Sequence, residues 1–527
     1  MTDPSQLPTT VREATFAVMR DMGMTTVFGN PGSTELPMFR DLPSDFRYVL
    51  GLQESVVVGM ADGYAQATRR AALVNLHSAI GVGHAMGAVF NAYRNRTPLV
   101  VTAGQQARAL LAGEPYLFSE DAALLPRPYV KWSREPARAE DVPAAIARAF
   151  HVAMSPPRGP AFVSIPVDDW DRPAEPVAPH RVGQVLRAGA DEMAELAEAL
   201  AGARRPVFVA GAAVDQEGAF DATVRLAEAH GARVWAAPMS SRCAFPETHP
   251  LFAGFLPPTR EGVLECFADA DLVLVLGAPV FTYRLVGTGP YVPAGAKVFQ
   301  LTDDPQQAAW TPVGTSLVTG VRPAVEELLG HPPRHPRPAP ARRPLPAPAE
   351  AAEHITVAYL MHTLDTLRPP DSVIVEEAPS SRPVMCDYLP NRGPESFYTC
   401  AGGGLGLGLP SAVGMLLGRP GRRVVAVIGD GSMMYSIQAL WSASQLGSVP
   451  MTVIVVNNGG YSTVHQFARA LGMEKPVGAD LPGIDFAGLA LAQGCRGARV
   501  SRAADLPAAL AEALSADGPY LLDVLVG

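Results

Sequence analysis

The stretch "RVVAVIGDGSMMYSI" spans residues 423–437. Its first half is a run of β-branched and small apolar residues, the pattern of a strand buried on both faces. Gly429, Asp430 and Gly431 end that run, and a helix-like pattern follows at once. A lone carboxylate between two residues without side chains, where strand becomes helix, is placed to meet a ligand. The glycines permit tight backbone geometry and close approach. The first N–H groups of a helix favour phosphate, yet Asp430 alone would repel one. A divalent cation resolves that conflict, and Mg²⁺ takes oxygen ligands that it shares with phosphate groups. The next apolar run, "VIVVNNGGY" (453–461), ends in Asn457, Asn458, Gly459 and Gly460. These offer an amide oxygen and a backbone carbonyl without added charge. Either feature alone is equally well a helix cap or an Asn–Gly turn. Their occurrence at the ends of successive strands favours the ion-binding reading.

The same alternation runs outward along the chain. "TTVFG", "ALVNLH" and "PLVVTAG" read as strands near the start, "RPVFVAG", "ADLVLVLGAP" and "AKVFQLT" in the middle, and "SVIVEE" before the opening stretch. Apolar strands covered by helices predict parallel sheets, which place ligands at the carboxyl ends of their strands. Two proline-rich seams divide the chain, at 171–182 and 331–350, the second with eight prolines in twenty residues. Such a segment neither pairs as a central strand nor continues a helix, so it reads as an extended linker. The expected fold class is α/β, with three doubly wound parallel-sheet domains in series. They cover residues 1–175, 183–330 and 351–527, with 331–350 as linker. A chain of 527 residues suits three domains at about 150 residues each.

Composition removes several function classes. The net charge is −9 and no Lys/Arg block occurs, which argues against a nucleic-acid partner. Five scattered cysteines show no CxxC and no Cys/His cluster, so neither structural zinc nor a disulfide framework is expected. The first twenty residues lack the apolar centre of a secretory signal. No uninterrupted apolar run reaches the ~20 residues of a membrane span. A soluble, cytoplasmic protein with no membrane partner is the expectation.

The GDG at 429–431, followed after a helix and a strand by Asn457 and Asn458, resembles the diphosphate-binding motif of thiamine diphosphate (ThDP) enzymes. The resemblance implies Asp430, Asn458 and the Gly460 carbonyl as Mg²⁺ ligands. Gly431, Ser432, Tyr461 and Ser380 would lie beside the diphosphate, and Asn457 would orient the loop. Such enzymes also need a carboxyl group to protonate N1′ of the aminopyrimidine. "FRYVLGLQESVVVGMADGYAQ" (46–66) supplies Glu54, read as ending an apolar strand and beginning a helix buried along one face. Alone, Glu54 would be an ordinary helix-start glutamate favoured by the dipole. The glycines of "YTCAGGGLGLGLP" (398–410) superficially suggest a dinucleotide fingerprint, but the acidic ribose partner is missing. By resemblance, Leu405 is the apolar wedge under the cofactor and the Gly403 carbonyl accepts from its 4′-amino group, a positioning effect.

Further stretches narrow the resemblance to benzoylformate decarboxylases over nearly the whole chain. They include "VFGNPGSTELP", "NLHSAIGVGHAMGA", "VTAGQQARA" and "LGLGLPSAVG". These enzymes convert a 2-oxo acid to an aldehyde and carbon dioxide. The implied catalytic set is Glu54, Ser33, His77 and Arg284, with Ser33 and His77 placing the substrate carboxylate and moving protons. Arg284, in "GAPVFTYRLVG", stands where the family has a second His. An Arg does not deliver a proton near neutral pH, but it binds carboxylates, which points to a substrate with a second anionic group. Tyr116, Leu117, Thr399, Thr463, Val464 and Phe467 are expected to line the substrate pocket. Thr399, Thr463 and Val464 replace the family's Phe, Ala and Leu, so benzoylformate is expected to be a poorer substrate than some other 2-oxo acid. His84 stands where an Asn is usual. The resemblance further implies ThDP and Mg²⁺ as cofactors, a side carboligation, and a homotetramer with active sites at subunit interfaces. The alternatives are an acetolactate synthase-type or benzaldehyde lyase-type carboligase. From another class come a Rossmann-type NAD-dependent dehydrogenase, through "GVGHAMG", and a non-catalytic paralogue.

Overall fold

The computed structural model describes residues 9–283 and 286–527. Its strands form three six-stranded sheets in which every strand pairing is parallel. The first contains β1 (Thr26–Gly29), β2 (Arg47–Leu50), β3 (Ala72–Leu76), β4 (Leu99–Gln105), β5 (Trp132–Arg134) and β6 (Ala161–Pro166), in the order 2-1-3-4-6-5. The second contains β7 (Pro206–Ala210), β8 (Arg233–Ala236), β9 (Phe252–Phe255), β10 (Leu272–Leu276), β11 (Lys297–Thr302) and β12 (Thr315–Val318), ordered 12-11-10-7-8-9. The third contains β13 (Val373–Glu377), β14 (Phe397–Thr399), β15 (Val424–Gly429), β16 (Met451–Asn457), β17 (Arg496–Val500) and β18 (Tyr520–Leu525), ordered 14-13-15-16-18-17. Central strands such as β3, β10 and β13 are buried at every residue, because helices cover both faces. Among the described residues, no helix is long and apolar enough to cross a membrane.

The first and third sheets meet through two helices, Glu54–Thr68 and Gly408–Gly418, packed backbone to backbone. A Cβ on Gly63 would lie 2.0 Å from the Ser411 carbonyl oxygen, and one on Gly414 would lie 1.9 Å from that of Met60. Only glycine allows that approach. Twelve of the fifteen residues in Glu54–Thr68 are buried, so the helix is enclosed on nearly all sides and not along one face as expected. Asp62 is buried in the seam and accepts from Thr97 Oγ1 at 2.6 Å, Gln66 Nε2 at 2.6 Å and Ser411 Oγ at 3.2 Å. Burial pushes its pKa up while these donors oppose the shift.

The strand before Glu54 also differs from expectation. β2 ends at Leu50 and buries only Val49, so Glu54 follows a short edge strand and a three-residue turn. Gln53 caps the helix, its Oε1 accepting from the N–H groups of Ser55 at 2.8 Å and Val56 at 3.3 Å. The proline-rich segment 331–350 carries no helix or strand. It is nevertheless docked: the Arg337 guanidinium donates to the carbonyls of Leu200, Ala201, Ala203 and His230 at 2.7–3.2 Å.

Candidate active site

The Asp430 carboxylate lies at the carboxyl end of β15 and is 3% exposed. Oδ1 accepts the Gly431 N–H at 2.8 Å and Oδ2 accepts the Gly460 N–H at 2.9 Å. Burial pushes the carboxyl pKa up, and the N–H groups of Gly431, Gly460, Gly459 and Asn458 pull it back. Gly431 must be glycine because a Cβ would lie 2.3 Å from the Tyr461 ring. Asn457 donates to Asp523 at 2.9 Å and accepts from the Gly459 N–H at 3.1 Å, which fixes the turn and leaves Asn458 exposed. The Gly460 carbonyl accepts the Ser462 N–H at 3.1 Å and keeps a second lone pair. Among the described residues, no cluster of three or more His, Cys, Asp or Glu side chains could hold a metal. One carboxylate, one amide oxygen and one carbonyl fit a hard cation whose shell is completed by phosphate oxygens. Ser432 is buried on the same short helix, and Ser380 sits in the turn after β13.

A second acid in this domain was not singled out from sequence. Glu377, the last residue of β13, accepts the N–H groups of Gly406 at 2.6 Å, Leu407 at 2.8 Å and Gly408 at 2.5 Å. It thereby fixes the loop that presents Gly403 and Leu405. Burial raises its pKa to about 7 against the pull of those three donors. Gly403 has φ +70 and nothing within 4 Å of a Cβ position, so its backbone faces open space.

In the first domain the loop after β1 wraps an imidazole. His77 precedes the helix Ser78–Arg94, and its Nδ1 lies 2.9 Å from Glu35 Oε2 and 3.1 Å from Thr34 Oγ1. The Thr34 hydroxyl proton goes to Glu35 Oε1 at 2.6 Å, and the Gly32 N–H goes to Glu35 Oε2 at 2.8 Å. The network assigns the proton of a neutral ring to Nδ1 and leaves Nε2 as the acceptor. Ser33 is exposed on the same loop. Glu35 is 1% exposed and was missed in the sequence, where an acid in "STELP" carries no periodic signal.

Glu54 is 8% exposed. Asn30 Nδ2 lies 3.3 Å from its Oε1, and His84 Nδ1 lies 3.1 Å from its Oε2. A Cβ on Gly81 would lie 3.5 Å from Glu54 Oε1 and 3.5 Å from the His77 Cβ. Glu54 and His77 therefore flank the same helical turn.

A cleft of about 620 Å³ opens between the second and third sheets. Gly403, Leu405, Thr399, Thr463 and Phe467 line it, as do Glu376 and Arg382. Thr399 donates to Glu376 Oε2 at 2.8 Å, and Arg382 Nη1 approaches that oxygen at 3.8 Å. The expected pocket residues thus divide. Ser33, Glu54, His77, Tyr116, Leu117 and Val464 do not line this cleft, and Tyr116 is 96% exposed. Arg284 lies outside the described residues.

Comparison with known proteins places the chain in a family. Residues 9–122 match the thiamine pyrophosphate enzyme N-terminal TPP binding domain, 193–328 the central domain and 380–524 the C-terminal TPP binding domain. The chain is 44% identical to benzoylformate decarboxylase of Pseudomonas aeruginosa, over 98% of both proteins. A Rhodococcus jostii structure described as a thiamine diphosphate-dependent 4-hydroxybenzoylformate decarboxylase superposes with a TM-score of 0.95 at 42% identity, over 98% of this chain and 99% of that one. The benzoylformate decarboxylase structure from Polynucleobacter necessarius gives 0.96 at 38% identity, over 98% of each chain. The chain belongs to the thiamine pyrophosphate enzyme family and is a homologue of its thiamine diphosphate-dependent decarboxylases.

Proposed function

We propose that this enzyme removes carbon dioxide from an aryl 2-oxo acid and releases the aldehyde, using ThDP with Mg²⁺. The observation that carries the reading is the pairing of Glu54 and His77 around one helical turn, at 3.5 Å each from the Gly81 Cβ position. When bound, ThDP supplies the electron sink for breaking the carbon–carbon bond. Asp430, Asn458 and the Gly460 carbonyl would hold Mg²⁺, and Gly431, Ser432, Tyr461 and Ser380 would surround the diphosphate. Leu405 and the Gly403 carbonyl would orient the aminopyrimidine, and Glu54 would supply the carboxyl group for its N1′. His77, held at Nδ1 by Glu35, presents Nε2 for proton transfer to and from substrate, with Ser33 beside it to bind the substrate carboxylate.

Thr399 commits its hydroxyl to Glu376, with Arg382 behind, so the cleft wall is more polar than an aromatic one. That wall suits a ring with a polar substituent better than benzoylformate, and Arg284 is proposed to meet an anionic one. The absence of Glu54, Ser33 and His77 from the cleft supports completion of the site by a second copy of the chain. Leu52 and Ile80, close in sequence to Glu54 and His77, are exposed apolar residues that such a copy would cover. A homotetramer built from two such dimers is the proposed assembly. Side carboligation follows if an aldehyde is taken up in place of a proton.

The test strips the protein with chelator and assays benzoylformate, ring-substituted arylglyoxylates, aliphatic and dicarboxylic 2-oxo acids, with and without ThDP plus Mg²⁺. Release of carbon dioxide and aldehyde together, dependent on both cofactors, is expected. Carbon dioxide without aldehyde would assign a carboligase instead. Light scattering on the same preparation reads the assembly.

A further inference from the structure

Two imidazole–carboxylate pairs lie along one helix. His77 immediately precedes Ser78–Arg94 and is paired with Glu35. His84 lies seven residues further, about two turns along the same face. Its Nδ1 is 3.1 Å from Glu54 Oε2, and its side chain is 59% exposed against 10% for Glu54. The first pair orients a proton-transfer group. The second engages the acid assigned to the cofactor, and in the resembling family this position holds an amide that cannot change charge.

Resting on the reading that Glu54 serves the aminopyrimidine, we propose that His84 is a positioning residue for Glu54 and makes cofactor binding sensitive to acid. Asn30 holds Oε1 at 3.3 Å and His84 holds Oε2, so each carboxyl oxygen has a donor. A neutral imidazole gives a hydrogen bond and no charge. An imidazolium favours the ionised carboxylate and places a positive charge beside a cofactor ring that must itself gain a proton. Imidazole is the side chain whose ordinary charge change falls between about pH 5 and 8. The titratable groups facing the pair are few. Glu54 comes from the helix Glu54–Thr68, and His77 comes from the start of His84's own helix. Glu35 stands behind His77 and is engaged by it, Thr34 and Gly32. Asn30 is neutral. Among the described residues, no other ion pair or hydrogen bond reaches His84.

The test measures the ThDP dissociation constant by calorimetry, on the full chain in saturating Mg²⁺, between pH 8 and pH 6. The native chain, His84→Asn and His84→Lys are compared, and titration of the cofactor's own diphosphate is common to all three. The native constant is expected to rise severalfold more than that of His84→Asn, within the roughly tenfold per pH unit that one linked proton allows. His84→Lys, charged throughout, is expected to bind weakly at both ends. Parallel native and His84→Asn profiles would overturn the proposal, as would tight binding by His84→Lys at pH 8. Failure of all three proteins to bind ThDP would overturn the ThDP reading itself and this inference with it.

Discussion

The first and third sheets share one connectivity, 2-1-3-4-6-5 against 14-13-15-16-18-17, and carry different chemistry at matching places. After the third strand of each comes a helix entrance, which holds His77 in one domain and Asp430 in the other. After the second strand come Glu54, the first residue of the following helix, in one and Leu405, in the loop before the following helix, in the other. Each domain also uses a buried acid near its first strand as a brace. Glu35 holds His77, and Glu377 holds the loop of Leu405. Topology dictates where a ligand sits, at the carboxyl ends of the strands. In the proposed function the side chains then divide the labour, with proton transfer in the first domain and ion and phosphate binding in the third.

The sharpest way to break this comparison is to remove the proton chemistry from the first domain alone. Glu54→Gln keeps the size of the side chain and loses its acidity. The expected loss in kcat is about 10²–10⁴-fold, the range for a general acid or base, with Mg²⁺-dependent ThDP binding still measurable. Asp430→Ala is expected to do the reverse, abolishing that binding first. If both variants lost only binding, the division of labour would be wrong.

The braces come next. Glu35→Ala frees His77 from its acceptor without touching Nε2. A misplacement of about 1 Å is enough for a loss of about 10²-fold. The fall is expected in kcat, read from aldehyde release at saturating substrate, with cofactor affinity retained. A fall in cofactor affinity alone would mean that Glu35 supports the fold and not the imidazole.

Glu377 gives the matching test in the third domain, read as stability. Its carboxyl titrates at about 7 in the folded protein, against about 4.3 for an unperturbed glutamate. The folded state therefore binds this proton more tightly than the unfolded chain. The resulting stability is fully present below about pH 4.3 and is lost as pH rises through about 7. Urea midpoints of the native enzyme are expected to fall between pH 5 and pH 8, more steeply than those of Glu377→Gln. Glu217 and Glu247 are also raised to about 7 by burial and add to the native slope, so the difference between the two proteins isolates Glu377.

How much of this was legible in the sequence follows the same physics. The apolar central strands and the Asp430–Asn458 motif stand out because burial on both faces and glycine-flanked polar residues leave local patterns. The edge strands left weaker patterns: β2 reads as an apolar strand running to Glu54 but ends at Leu50 and buries one residue of four, and β17, which buries only Val500, gives no strand signal. Glu35 and Glu377 were invisible for another reason. Their partners are backbone N–H groups and side chains from neighbouring loops, and no local periodicity encodes those contacts. His84 departs from the family's Asn, and only the fold, which brings Glu54 to 3.1 Å from it, gives that departure a meaning. The division of the pocket residues was equally hidden. Thr399 and Phe467 share a cleft with Leu405, while Tyr116 and Leu117 do not.

The smallest effect is expected at the cleft wall, where neither proton transfer nor ion binding is touched. Thr399 is buried and gives its hydroxyl proton to Glu376 Oε2 at 2.8 Å. Thr399→Phe replaces that donor with a ring, as in the resembling family. The other Glu376 oxygen keeps the Ala378 N–H at 2.6 Å, so the acid is not stripped of all partners. Filling or emptying part of an apolar pocket shifts specificity by about 10–200-fold, and losing a substrate hydrogen bond shifts it by more. The ratio of kcat/KM for benzoylformate to that for a ring-hydroxylated arylglyoxylate is expected to rise about tenfold in the variant. The apolar ring gains contact, and the polar one loses the wall that suits it. An unchanged ratio would place the substrate ring elsewhere than against Thr399, and would leave Phe467 and Thr463 as the cleft residues to vary next.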